Sequence, residues 1–260
     1  MTQKPDDTIR AGGAQPEGAP NVEILADVAQ IVLRAKQLIL ASADAAIAAR
    51  GRFTIALSGG STPRPLYRAL AEERGIDWSK WWLFWGDERT VPPDHAESNY
   101  RLVRETLLDR IPVPPGLVIS PTAGEFALLP PEEQALAYAT ALRDAFGVAL
   151  PQLDLNLLGM GGDGHTASFF PGGDRLAQAL DRASPHRVEA MTAPGAGEPR
   201  ITLTAPALLG ARLTLLHIEG PAKRETLARA QAPGDIAQMP IRLFLRQAER
   251  LEIYWTPEGG

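Results

Sequence analysis

Apolar runs of strand length alternate along this chain with longer stretches in which apolar residues recur every third or fourth position. FTIALS (Phe53 to Ser58), WWLFW (Trp81 to Trp85), a short run near Leu117 to Ile119, LDLNLLGM from Leu153, RVEAMTAP, RITLT from Arg200, RLTLLHIEG and the closing LEIYW read as strands. A segment opening at Asn21 carries helical spacing through Ile24, Val28, Ile31, Val32, Ala35, Leu38 and Ile39, and Gly51 is placed to stop it. Further helices are predicted through Leu66, Leu70 and Ala71, from about Ser98 to Leu108, over EEQALAYATALRDAFG, after Gly220-Pro221 and around Phe244, with a helical turn from Pro206 to Leu209. This alternation predicts an α/β fold with a mostly parallel sheet and helices on both faces. No fixed-period repeat interrupts it.

Composition narrows the picture. Residues 1–20 are rich in Gly, Pro, Ala and charge and are expected to be disordered. Residues 21–260 are expected to form one α/β domain, with APGAGEP (Ala193 to Pro199) as a flexible loop inside it. The 260 residues carry a net charge of −5, which argues against a broad surface for nucleic acid or anionic membrane and leaves room for a local basic pocket. Cysteine is absent, which removes disulfides, thiolate nucleophiles and zinc–sulfur sites, and no two-histidine helical spacing suggests a metal. The opening MTQKPDDTIR lacks the apolar core of a secretory signal, and the apolar stretch IVLRAKQLIL is broken by Arg34 and Lys36. A cytoplasmic enzyme with a small-molecule substrate is the expectation.

The chemistry concentrates where LDLNLLGM runs into Gly-Gly-Asp-Gly-His. Ligands of a parallel sheet bind at the carboxyl ends of strands, and this loop holds Asp163 and His165 there. His165 is the candidate acid–base residue. Asp163 either orients its imidazole or serves as a turn aspartate. Two predicted helix starts carry cations where acids are favoured: Arg64 in SGGSTPRP, with Ser61 or Thr62 as N-cap and Pro63 at the first helical position, and Lys223 and Arg224 in GPAKRE. A bound phosphate explains both, and so do solvent and neighbouring acids. GDER (Gly86 to Arg89) reads either as a local ion-paired turn or as a site loop, with Arg89 on an anion and Asp87 on sugar hydroxyls or in acid–base work. Trp81, Trp82 and Trp85 read as strand packing, and His95, His186 and His217 as structural.

In this order, SGGSTPRPLY, WGDERTVPPDHAESNY, LGMGGDGHTASFFP, PRITLT and GPAKRE resemble the 6-phosphogluconolactonase family over nearly the whole chain from about Asn21. The resemblance implies a modified Rossmann-like sheet, hydrolysis of 6-phospho-D-glucono-1,5-lactone in the oxidative pentose phosphate pathway, and no required metal or redox cofactor. A monomer is the separate expectation for the chain. The resemblance makes His165 the acid–base residue with Asp163 beside it, and Gly59, Gly60, Ser61 and Thr62 the sugar-phosphate loop. Arg89, Arg200 and Lys223 match positions that meet phosphate or lactone oxygens, their division of labour left open, and Asn99 matches a pocket-shaping residue. The related glucosamine-6-phosphate deaminases resemble DGHxAFNEP, with a Glu before the Pro, where this chain has Phe170 before Pro171. Sugar-phosphate-sensing regulators of similar fold add a helix-turn-helix module, for which residues 1–20 are too short.

Overall fold

The computed structural model describes residues 21–148 and 152–259; the tail expected to be disordered lies outside them. In chain order the elements are β1 (Val22–Ile24), α1 (Val28–Arg50), β2 (Phe53–Leu57), α2 (Arg64–Ala71), β3 (Trp81–Trp85), β4 (Asp87–Arg89), α3 (Asn99–Thr106), β5 (Val118–Ile119), α4 (Pro131–Phe146), β6 (Leu155–Leu158), α5 (Leu176–Leu180), β7 (Val188–Met191), β8 (Arg200–Leu203), α6 (Ala205–Leu209), β9 (Thr214–Glu219), α7 (Pro221–Gln231), α8 (Ile241–Gln247) and β10 (Leu251–Thr256). Seven strands pair in parallel in the order β1-β10-β9-β6-β2-β3-β5. The α/β expectation holds. A second, three-stranded antiparallel sheet, β4-β8-β7, was not anticipated.

Side-chain alternation splits the core across the parallel sheet. Phe53, Ile55 and Leu57 of β2 pack with Ile31, Ala35 and Ile39 of α1 and with residues of α2 and α3. Ala56 and Phe84 face the other way, toward Tyr138 and Leu142 of α4, the β7–β8 strands and α6 to α8. Helices therefore cover both faces, which is why the strands are apolar throughout.

Two readings change. The helix expected from Asn21 begins only at Val28, because Val22–Ile24 pairs with β10 and the Asp27 carboxylate caps α1 by accepting from Gln30 N–H at 2.7 Å. GDER is not a turn: Asp87, Glu88 and Arg89 form β4 against β8. Gly86 joins the sheets, its N–H donating to Leu57 C=O and its C=O accepting from Leu203 N–H, both at 2.9 Å. Other ends follow the sequence: Gly51 stops α1 with φ 74°, and the Ser98 hydroxyl caps α3.

Two buried tyrosines close strand ends in the same way. The Tyr67 hydroxyl accepts from Ser58 N–H (3.0 Å) and donates to Ser58 C=O (2.6 Å). That of Tyr138 accepts from Trp85 N–H (2.9 Å) and donates to Trp85 C=O (2.8 Å), beyond the point where β5 stops pairing with β3. Tyr138→Phe leaves two buried backbone groups without a partner, so the unfolding free energy in a denaturant titration is expected to drop by about 1–3 kcal/mol. Unchanged stability would show that these groups do not depend on the hydroxyl.

Candidate active site

The carboxyl ends of β2, β3, β6 and β9 open into a cavity of about 660 Å³, walled on one side by β4 and β8. His165 reaches it from the loop after β6. The Asp163 carboxylate folds back on that loop, accepting from His165 N–H at 3.0 Å and standing 2.6 Å from His165 Nδ1 through the same oxygen. Burial pushes the Asp163 carboxyl up, but the His165 N–H and imidazole outweigh it and hold its pKa below the ordinary aspartate value. An ionised Asp163 fixes the proton on Nδ1 and leaves Nε2 as the basic nitrogen. The Asp163 carboxylate thus makes both the contact of a turn aspartate and a contact with the imidazole.

The loop is clamped from several directions. Gly162 C=O accepts from Arg229 (2.8 Å) and Gly164 C=O from Ile241 N–H (2.9 Å), which tie it to α7 and α8. The His165 ring lies where a β-carbon on Gly161 would stand, so that position admits glycine alone. The Ser168 hydroxyl donates to Asp87 at 2.6 Å, joining the loop to β4. Phe170, buried, packs its ring 4.2 Å from that of His165, and the Arg200 guanidinium lies 5.5 Å over the same ring.

The β4–β8 pairing sets Arg89 directly opposite Arg200. Like charges across an antiparallel pair repel. Burial first, and the Arg89 charge second, lower the pKa of Arg200. Arg89 donates to the Asn99 carboxamide and Arg200 to the carbonyls of Ala196 and Glu198, and among the described residues neither they nor Lys223 form an ion pair. The cavity thus gathers three cations that form no ion pair, beside the carboxylates of Asp87 and Glu219.

Behind Arg89, the fully buried Glu88 holds this wall together. Its carboxylate accepts from the backbone N–H groups of Arg89 (2.7 Å), Asn99 (2.8 Å) and Tyr100 (2.6 Å), which docks the start of α3 on β4. Asn99 in turn donates to Asp87 C=O at 3.0 Å and fills the space a β-carbon on Gly59 would need.

Gly59, Gly60, Ser61, Thr62, Asp87, Arg89, Asn99, His165, Arg200 and Lys223 all line the one cavity, and Asp163 stands behind His165. The capping expected at SGGSTPRP is not found: Pro63 precedes α2 without a side-chain cap, and Arg64 N–H bonds to Ser61 C=O. Nor do all the misplaced cations face an anion site. Arg64 is absent from the lining, and Arg224 lies 5.7 Å over the Trp255 ring. Lys223 alone of that group reaches the cavity.

The sequence model described as glucosamine-6-phosphate isomerases/6-phosphogluconolactonase matches residues 26–255. The chain belongs to this family. A 6-phosphogluconolactonase of Rhizobium meliloti (strain 1021) is 49% identical over 214 residues, covering 82% of this chain and 88% of the relative. One from Nostoc sp. (strain PCC 7120) is 41% identical over 244 residues, covering 92% and 97%. The crystal structure of a 6-phosphogluconolactonase from Shewanella baltica OS155 superposes with a TM-score of 0.80 at 30% identity, covering 91% of this chain and 97% of that one.

Three residues of the site escaped the sequence reading. Glu88 sat in a motif whose charges read as a surface ion pair. His217, taken as structural, and Glu219, embedded in the apolar run of β9, both line the cavity. Among the described residues no helix is long and apolar enough to cross a membrane.

Burial, opposed by its three backbone donors and aided by the charge of Asp87, pushes the Glu88 carboxyl up to about 7 from an ordinary value of 4.5. The folded state holds this proton more tightly than the unfolded chain. Glu88 therefore adds stability that is complete below pH 4.5 and lost as pH rises through about 7. Unfolding free energies measured across that interval are expected to decline with pH, with a smaller decline in Glu88→Gln. An identical slope in the variant would assign the decline to other groups.

Proposed function

We propose that this protein hydrolyses 6-phospho-D-glucono-1,5-lactone to 6-phospho-D-gluconate in the oxidative pentose phosphate pathway, with His165 as base and then acid. The observation that carries this is the Arg89–Arg200 pair, neither member of which forms an ion pair, in the same cavity as an imidazole that stands 2.6 Å from the Asp163 carboxylate. The 6-phosphogluconolactonases among its relatives support the substrate.

In this mechanism His165 Nε2 takes a proton from water as the water oxygen attacks the lactone carbonyl carbon. The tetrahedral intermediate carries an oxyanion in a cavity of positive charge, where Arg89 or the N–H groups of the glycine loops stabilise it. As the bond from that carbon to the ring oxygen breaks, protonated His165 returns the proton to the ring oxygen. Asp163 stabilises the imidazolium in between. Arg200 and Lys223 add to the charge that holds the phosphate. Phe170 favours lactone hydrolysis over deamination, because it puts an aromatic ring where the deaminase pattern has the carboxylate for ring opening.

The decisive experiment is a lactonase assay on freshly made substrate, with spontaneous opening subtracted. His165→Ala is expected to lose about 10²- to 10⁴-fold in kcat and still bind 6-phosphogluconate; near wild-type turnover would sink the assignment. Lys223→Ala is expected to raise KM by roughly ten- to a hundredfold, and an unchanged KM would remove it from phosphate binding. Ammonia release from glucosamine 6-phosphate would favour the deaminase instead.

A further inference from the structure

The end of β9 brings His217 and Glu219 into the cavity. Two residues apart on one strand, they project from the same face, continuing the line of Leu213 and Leu215. His217 is 2% exposed, and its Nε2 lies 3.0 Å from Glu219 Oε1, whose side chain is 11% exposed. A polar pair at this depth ends an otherwise apolar strip. Sheet packing alone calls for no such pair, and an apolar residue at either place would avoid its desolvation.

His217 occupies Oε1 of the carboxylate, while its own Nδ1 is enclosed without a partner among the described residues. Glu219 Oε2 has no hydrogen-bond partner among the described residues, and Lys223, in the first turn of α7, makes no ion pair with it. The backbone at Gly259 shields the same oxygen, since a β-carbon there would press on it. Oε2, unlike the enclosed His217 Nδ1, keeps contact with the cavity, where a ligand can reach it and complete its hydrogen bonding. A phosphate or another carboxylate is repelled, whereas a neutral hydroxyl donates to it. Among the parts of a phosphorylated sugar lactone or of its open-chain acid, the hydroxyls are what fits.

We propose that Glu219, held in place by His217, determines specificity by accepting a hydrogen bond from one hydroxyl of the substrate at Oε2. His217 is the positioning residue: it fixes the carboxylate rotamer and keeps Oε1 occupied, so that Oε2 is the oxygen presented. The inference rests on the sugar-phosphate reading of the cavity. It adds that the site recognises the polyol as well as the charge, so that binding the phosphate and reading the sugar belong to different side chains.

Equilibrium binding to the full chain tests this with four kinds of probe: 6-phosphogluconate, its 2-deoxy, 3-deoxy and 4-deoxy forms, glucose 6-phosphate and inorganic phosphate. Glu219→Gln is nearly isosteric and is expected to weaken 6-phosphogluconate about ten- to a hundredfold, with inorganic phosphate bound as tightly as by wild type. His217→Leu is expected to move the same two affinities in the same sense. One deoxy form should bind wild type more weakly than its parent and lose nothing further in Glu219→Gln, a coupling that a merely structural role would not produce. Undiminished binding of 6-phosphogluconate by Glu219→Gln, or an equal loss for phosphate, would overturn the proposal. Should the variants fail to fold, a wild type that binds every deoxy form as tightly as the parent overturns it as well. The two readings fail separately: wild type without lactonase turnover defeats the hydrolase reading, while this one is decided by binding alone.

Discussion

A parallel sheet leaves backbone groups open wherever a strand outlasts its neighbour, and most of this structure answers that constraint. Beyond the last pairing of β3 with β5, the Tyr138 hydroxyl takes both polar groups of Trp85; beyond β2, Tyr67 does the same for Ser58. At the amino ends of the central strands the buried Asp154 accepts from Thr54 N–H and hydroxyl, which aligns the starts of β2 and β6. With the strand ends pinned by side chains, the loops beyond them keep fixed positions. The cavity is the space those loops enclose.

The electrostatics of the cavity follow from that scaffold. Gly86 lets the chain leave the parallel sheet and start the antiparallel one within a residue, and the register that results brings two arginines face to face. Such a pair is tolerated because Glu88 and Asn99 hold its wall rigid from behind and because the His165–Phe170–Arg200 stack packs against it from the side. The acid–base loop and the cationic wall are therefore one packed unit, coupled through the Ser168–Asp87 hydrogen bond. The proposed reaction uses this coupling to hold a phosphate at one place while an ester carbonyl meets the imidazole at another.

The α/β class and the histidine loop were legible because both are local: apolar alternation marks strands and helices, and glycines around a lone histidine mark a loop at a strand end. The β4 strand was not, since Asp87-Glu88-Arg89 has no apolar alternation and becomes a strand only by pairing with β8. Val22–Ile24 merged into the helical pattern that follows, and only β10 distinguishes it. Of the cations at helix starts, which the sequence offers as a sign of an anion, Lys223 lines the cavity, whereas Arg64 and Arg224 do not, Arg224 lying over the Trp255 ring. The stronger electrostatic signal, Arg89 against Arg200, depends on strand register and was invisible in one dimension. His217 and Glu219 were hidden for the opposite reason: an apolar run around them made them look like core.

The β4–β8 ladder closes a long loop, from Arg89 around to Arg200, with the His165 loop inside that excursion. Loop-closure entropy weighs against forming such a contact early. Neighbouring helices and strands such as β2 and β3 gain most of their contacts locally, but the arginine-bearing wall exists only once the two distant segments have met. A fragment ending before residue 200 would contain the imidazole, its aspartate and the glycine loops, yet have half of the arginine pair. Chain connectivity thus makes assembly of the site an all-or-none event, in which the acid–base group and the charge it works beside come into register together.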